Sequence, residues 1–315
     1  MKIFFCSLFC LFATVSKSQY SIPADSTKTA PVEAKSISKR KLLVGGFSIA
    51  SYGGSILLLN QAWYKQYPKT GFHTYNDSGE WLQMDKVGHA WTAYNISKLT
   101  TGMWRWAGLP EKKAVLVGSL SGFSYLSAIE ILDAYSSKWG WSWADMAANA
   151  AGSSLFAAQE LAWQEQKIQF KFSAHRKSYE AGLNARADEL FGSSLPERIL
   201  KDYNAQVYWF SGNLSSFFAA SKLPKWLNIA VGYSAEGMFG GYENVGFDKN
   251  GIRTFYRPDI RRYRQWYFAP DVDLSKINVR NKTVRTVLMA LNAIKFPAPA
   301  LEISNGRIRG NWIVF

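Results

Sequence analysis

Hydrophobic and polar positions along the chain first mark out a row of helices. Residues 42–64 carry no formal charge and close on an aromatic group, Trp63, Tyr64 and Tyr67. That length suffices to cross a bilayer, with Gly45-Gly46 and Gly53-Gly54 as small faces for close packing. A buried hairpin in a soluble domain is the competing reading, because glycine, serine, asparagine and glutamine dilute the apolar signal. A turn-rich polar loop fills residues 65–81. Asp85 then opens an amphipathic stretch that runs to about Trp106 and stops at Gly108-Leu109-Pro110. Pro110 and Glu111 suit the start of a helix ending near Ala134. Ser142 followed by Asp145 has the spacing of a capping box, for a fourth helix from Trp143 to about Gln166. Its interior, Ala147-Ala148-Asn149-Ala150-Ala151-Gly152-Ser153, is made of the small residues that closely approaching helices need.

Beyond Lys167 the pattern changes. Residues 175–190 and 196–220 read as helical, as do residues 281–294. Short apolar segments at 227–232, 238–246, 265–273 and 301–315 alternate with turns, as strands do. The last has the composition of an outer-membrane strand, but Arg307, Arg309 and Asn311 fall on the face that Phe315 would share, which weakens a barrel reading. The expected fold is mainly α: a four-helix membrane-associated core over residues 42–166, then a mixed α/β, aromatic-rich C-terminal region over residues 167–315.

Composition narrows the class. At 48% hydrophobic and 16% aromatic the chain is too apolar for disorder. Lys2, the apolar run 3–15 and Ser16-Lys17-Ser18 describe a secretory signal peptide cut after residue 18, with a flexible tether over 19–41. Cys6 and Cys10 lie inside the run, each after Phe, so a lipidation site is not expected. Both leave with the signal, which excludes disulfides, thiol catalysis and cysteine-held metal in the mature chain. The 37 Lys+Arg outnumber 23 Asp+Glu, for a formal charge of +14. In an exported chain without a nucleic-acid recognition module, that charge points to anionic membrane lipid as partner, or to an envelope protein. Lys39, Arg40 and Lys41 would begin outside the inner membrane, against the cytoplasmic bias of basic residues. A periplasmic or membrane-associated place follows, the outer membrane favoured over the inner.

Three polar pairs stand within these helices: Asp85 with His89, Glu130 with Asp133, and Asp145 with Asn149. Spacings of three and four put each pair on one helical face. Ionisable groups in a low-dielectric layer are costly unless they meet, so all three pairs are expected in one cluster. His89, Glu130, Asp133 and Asp145 offer donors that a divalent metal accepts, or an acid–base centre for metal-assisted hydrolysis or transfer. The competing reading, which is favoured, is an interior network of hydrogen bonds and ion pairs that fixes the register of the four helices, with Lys86 balancing a carboxylate. A site on His89 that changes charge between pH 5 and 8 is a third reading.

The order Asp-Lys-x-x-His, Glu-x-x-Asp and Asp-x-x-x-Asn-x-x-Gly resembles VanZ-like membrane proteins. It resembles still more the YfiM-like family of predicted periplasmic lipoproteins of unknown function, over residues 84–160. The resemblance implies the helical architecture and singles out Asp85, Lys86, His89, Glu130, Asp133, Asp145, Asn149 and Gly152. It supplies no activity.

His73 and His175 read as solvated. A basic aromatic run, with Arg253, Arg257, Arg261, Arg262 and Arg264 among Tyr256, Tyr263, Trp266 and Tyr267, reads as a charged face or a patch for lipid headgroups. Two functions stay open. One is a structural or lipid-binding envelope component, the other a membrane-embedded hydrolase or transferase acting on a lipid or cell-wall precursor.

Overall fold

The computed structural model describes residues 30–65, 67–218, 220, 222–248 and 250–315, so the segment expected to be a signal peptide, with Cys6 and Cys10, and the first part of the expected tether lie outside the described residues. Four long helices come first: α1 (Ala30–Leu59), α2 (Met84–Trp106), α3 (Glu111–Ala134) and α4 (Trp143–Trp163). α1 begins inside the stretch expected to be a tether; Glu33, Ala34 and Lys35 are good helix formers and no glycine interrupts them. α2 ends at Gly108 (φ +82°), and Ser142 Oγ accepts the Asp145 N–H at 3.0 Å, as its capping spacing requires.

Small residues set the contacts among α2, α3 and α4. A Cβ on Gly152 would fall 2.0 Å from the Ala90 carbonyl oxygen, and one on Gly122 would fall 2.7 Å from that of Ala93. Both glycines let backbones touch where any side chain would force the helices apart. α1 packs Val44 on Leu99 and Met103 of α2, leaving Leu42, Leu43, Ile49 and Leu57 exposed. By length and composition α1 (Ile37–Leu59) and α3 could each cross a membrane.

The C-terminal half is built on a six-stranded antiparallel sheet in the order β1-β2-β3-β6-β7-β8. Its strands are β1 (Ile168–Ala174), β2 (Gln206–Asn213), β3 (Leu227–Glu236), β6 (Tyr263–Val272), β7 (Ala298–Ser304) and β8 (Arg307–Val314). A hairpin of β4 (Val245–Phe247) and β5 (Arg253–Tyr256) stands apart. Helices α5 (Ala181–Phe191) and α6 (Leu195–Lys201) lie between β1 and β2, a short α7 (Leu214–Phe217) follows β2, and α8 (Lys282–Leu291) precedes β7. The molecule is therefore mixed α/β, with a helical first half as the sequence implies. Residues 206–213, expected to be helical, form β2. Val207 and Trp209 face one side of the sheet and Tyr208 and Phe210 the other, so no period of two betrays the strand.

The sheet curls. Ala293 O accepts from Phe172 N at 3.0 Å, and Lys295 N donates to Phe172 O at 2.9 Å, so the chain that enters β7 returns to β1. The inner face is rich in paired polar groups. Lys171 Nζ lies 2.7 Å from Asp271 Oδ2, which also accepts from Ser211 Oγ at 2.6 Å, and Trp209 donates to Ser173 Oγ at 2.7 Å. The outer face is apolar. One transverse row reads Phe170, Phe210, Val231, Phe268 and Leu301 across five strands. Over β1 this face is covered by Trp91 and Tyr94 of α2 and Phe156 of α4, so Phe170 is 2% exposed. Over β6 no described residue covers it, and Phe268 is 48% exposed.

Candidate functional site

The predicted cluster forms where the first turns of α2 and α4 meet the last turn of α3. Lys86 is its hub: Nζ lies 2.6 Å from Asp77 Oδ2, 3.1 Å from Asp85 Oδ2 and 2.8 Å from Asp145 Oδ1. Asp77 comes from the loop before α2 and was not singled out in the sequence. Ser142 Oγ donates to its Oδ1 at 2.5 Å, so one hydroxyl both caps α4 and orients this carboxylate. Tyr203, between α6 and β2, donates to Asp85 Oδ1 at 2.6 Å and ties the sheet half to the helices. Neither Asp77 nor Tyr203 belongs to a motif, and only the fold brings them in.

Beside this hub stands His89. Its Nδ1 pairs with Asn149 Oδ1 at 3.1 Å and lies 3.8 Å from Glu130 Oε1; its Nε2 lies 3.9 Å from Asp145 Oδ1. Glu130 Oε1 and Asn149 Nδ2, both buried, have no hydrogen-bond partner among the described residues. Asp133 stands one step out and accepts from the Tyr64 hydroxyl at 2.8 Å. All three sequence pairs thus converge.

Burial opposes charge on the His89 ring, yet Asp145, Asp85 and Glu130 outweigh it and hold the imidazole up at about 9. Burial lifts Asp145 to about 6 against the pull of His89 and Lys86. Asp85 resists burial and stays below its ordinary value through His89, Lys86 and the Tyr203 hydroxyl. Burial also pushes Glu130 up to about 8 and Asp133 to about 7. Around neutral pH a cationic Lys86 and a cationic His89 therefore face the carboxylates of Asp77, Asp85 and Asp145, while Glu130 largely keeps its proton. Asp85, His89 and Asp145 each offer a ligand atom, all within 4.8 Å of one another, so these three could hold a divalent ion.

The cluster rests on a strained segment. Trp81, Leu82 and Gln83 have φ of 50°, 50° and 66°, the left-handed region that costs a non-glycine residue about 1 kcal/mol or more each. The sheet half holds this turn. Trp81 N donates to Gly241 O at 2.8 Å, the Tyr233 hydroxyl donates to Leu82 O, and Arg264 Nη2 donates to Gln83 Oε1 at 2.6 Å.

The basic aromatic run does not stay together. Arg257 pairs with Asp259 at 2.8 Å, and Arg262 turns inward to the Gly240 and Gly241 carbonyls. The Arg261 carbonyl backs Gly237. Arg264 and Trp266 remain on the outer sheet face.

No curated protein and no solved structure matches the chain. Residues 73–159 do match a family, and they carry every cluster residue except Tyr64 and Tyr203. That stretch is similar to a family described as predicted periplasmic lipoprotein (DUF2279), which fits an exported, envelope-associated protein.

Proposed function

We propose that the protein is a cell-envelope component that meets lipid with the apolar outer face of its sheet, while the Lys86 network fixes the helices against that sheet. The observation that carries this reading is the polarity of the sheet. Its inner face holds paired charges such as Lys171 with Asp271, and its outer face runs uncovered through Phe268, Leu301 and Ile303. Soluble antiparallel sheets that expose one face put polar residues there. An apolar exterior over a polar interior is the arrangement that lipid selects. The exposed Leu116, Leu120 and Ile131 of α3 continue the theme on the helices. After washing isolated envelopes with alkaline carbonate the protein is expected in the pellet; recovery in the supernatant would overturn the reading.

A second reading is favoured by one observation, the unpartnered Glu130 Oε1 beside His89. There the cluster is an acid–base or divalent-metal centre for hydrolysis or transfer on a lipid or cell-wall precursor. Two carboxylates and an imidazole suit such an ion. Against it, the Lys86 ammonium already occupies the carboxylates a metal would need. Stoichiometric metal in the purified chain, lost in His89→Ala without a fall in melting temperature, would favour the enzyme. The finer kinship to YfiM-like and VanZ-like proteins rests on the Asp85-Lys86-x-x-His89 motif and its two companions.

A further inference from the structure

The uncovered outer face is not uniform. Where α2 leaves the sheet a groove of about 310 Å³ opens between them, walled by Val87, Tyr208, Phe210, Val231 and Trp266. Its wall is apolar, and one end carries Arg264 and Gln83. Arg264 has no carboxylate partner among the described residues. Its hydrogen bonds, 3.2 Å to the Tyr233 hydroxyl and 2.6 Å to Gln83 Oε1, use two of five guanidinium donors. The groove needs its glycine: a Cβ on Gly88 would fall 2.8 Å from the Tyr208 hydroxyl and push α2 away from its floor.

We infer that this groove holds one acyl chain of a membrane lipid whose anionic headgroup lies against Arg264. An apolar trough ending in an unpaired cation matches an amphiphile of that polarity. The groove is continuous with the outer face, so a chain enters sideways from the lipid without crossing water. The inference rests on the lipid-contact reading above, and it adds a ligand class and a binding position. Because Arg264 and Tyr233 also hold the left-handed turn before α2, an occupied headgroup site abuts the segment that leads into Asp85 and Lys86.

The test uses the full chain in phosphatidylcholine nanodiscs with a long-chain fatty acid carrying a mid-chain diazirine, and with the matching fatty alcohol. Cross-links are mapped by peptide mass spectrometry. Fatty-acid adducts are expected to concentrate on peptides containing Val87, Val231 and Trp266. They should fall at least fivefold with the alcohol, in Arg264→Glu and in Val231→Trp. The last variant alters a half-exposed position and leaves the left-handed turn intact, so it reads the groove even if Arg264→Glu loosens that turn. Adducts spread evenly over the outer face and indifferent to both variants would overturn the groove while leaving the lipid-contact reading in place. Sensitivity to Val231→Trp alone would overturn the anionic headgroup. No adducts on the sheet at all would overturn both inferences.

Discussion

Replacing Lys86 with methionine keeps most of the unbranched side chain, up to the Cε position, and removes the ammonium with its charge. In the native protein the ammonium lies within 3.1 Å of carboxylates from Asp77, Asp85 and Asp145, and its side chain is 10% exposed. Without it three acids confront one another in a largely buried cluster, with His89 as the remaining cation. Removing one partner of a buried ion pair costs about 3–5 kcal/mol, much of it from the charge left stranded. For a cooperative unit of roughly 150–250 residues each kcal/mol lowers the melting temperature by about 2–4 °C, so Lys86→Met should lose about 6–20 °C. The assay is thermal unfolding in mild detergent at neutral pH, on Lys86→Met, Asp145→Asn and the double variant. Because the stranded carboxylate is the main penalty, Asp145→Asn should recover about 1 kcal/mol or more in the Lys86→Met background. A Lys86→Met protein within about 0.5 kcal/mol of the parent, as for an exposed substitution, would refute the reasoning.

Other consequences follow from the same geometry. The His89 imidazole, held up at about 9, should be protonated at neutral pH by nitrogen NMR; titration near its ordinary 6.5 would contradict the pairing with Asp145, Asp85 and Glu130. Since its folded value is raised, the stability it lends is complete below about 6.5 and fades as pH climbs through about 9. Melting temperature should therefore drop over that window in the parent and drop less in His89→Gln. Gly152→Val should cost about 1–3 kcal/mol or prevent folding, because its Cβ alone would fall 2.0 Å from the Ala90 oxygen; a neutral effect would mean α2 and α4 do not touch there. Asp271→Ala strands the fully buried Lys171 and should cost about 3–5 kcal/mol by denaturant titration, whereas a loss under about 1 kcal/mol would deny the polar sheet interior.

The helical half was legible because its signals are local. The Ser142 cap, the Gly108 stop and the pairs at three and four residues each depend on neighbours along one helix, and burial cost then forces the pairs to meet. Asp77 and Tyr203 escaped because their roles depend on a left-handed turn and on a contact 118 residues away. The sheet was only half legible. Segments 227–232 and 265–273 match parts of β3 and β6, but the direction of burial is the reverse of the soluble pattern. In β1 the alternation of Ile168, Phe170 and Phe172 with Gln169, Lys171 and Ser173 was there to be read. A soluble reading would turn Lys171 outward, whereas the curl of the sheet places it inside against Asp271. The basic run dissolved for a similar reason: Arg257 and Arg262 find partners only once the loops around the β4–β5 hairpin fold.

One labelling measurement tests the central claim most directly. In a chain whose Cys6 and Cys10 are replaced by serine, single cysteines at Phe268, Leu301 and Ile303 report the outer sheet face, and one at exposed Asn305, in the turn between β7 and β8, serves as the water-facing control. In native membranes a charged maleimide should label the turn position and spare the three sheet positions until detergent and denaturant are added. Labelling of all four at equal rates in intact membranes would show that water, and not lipid, covers that face.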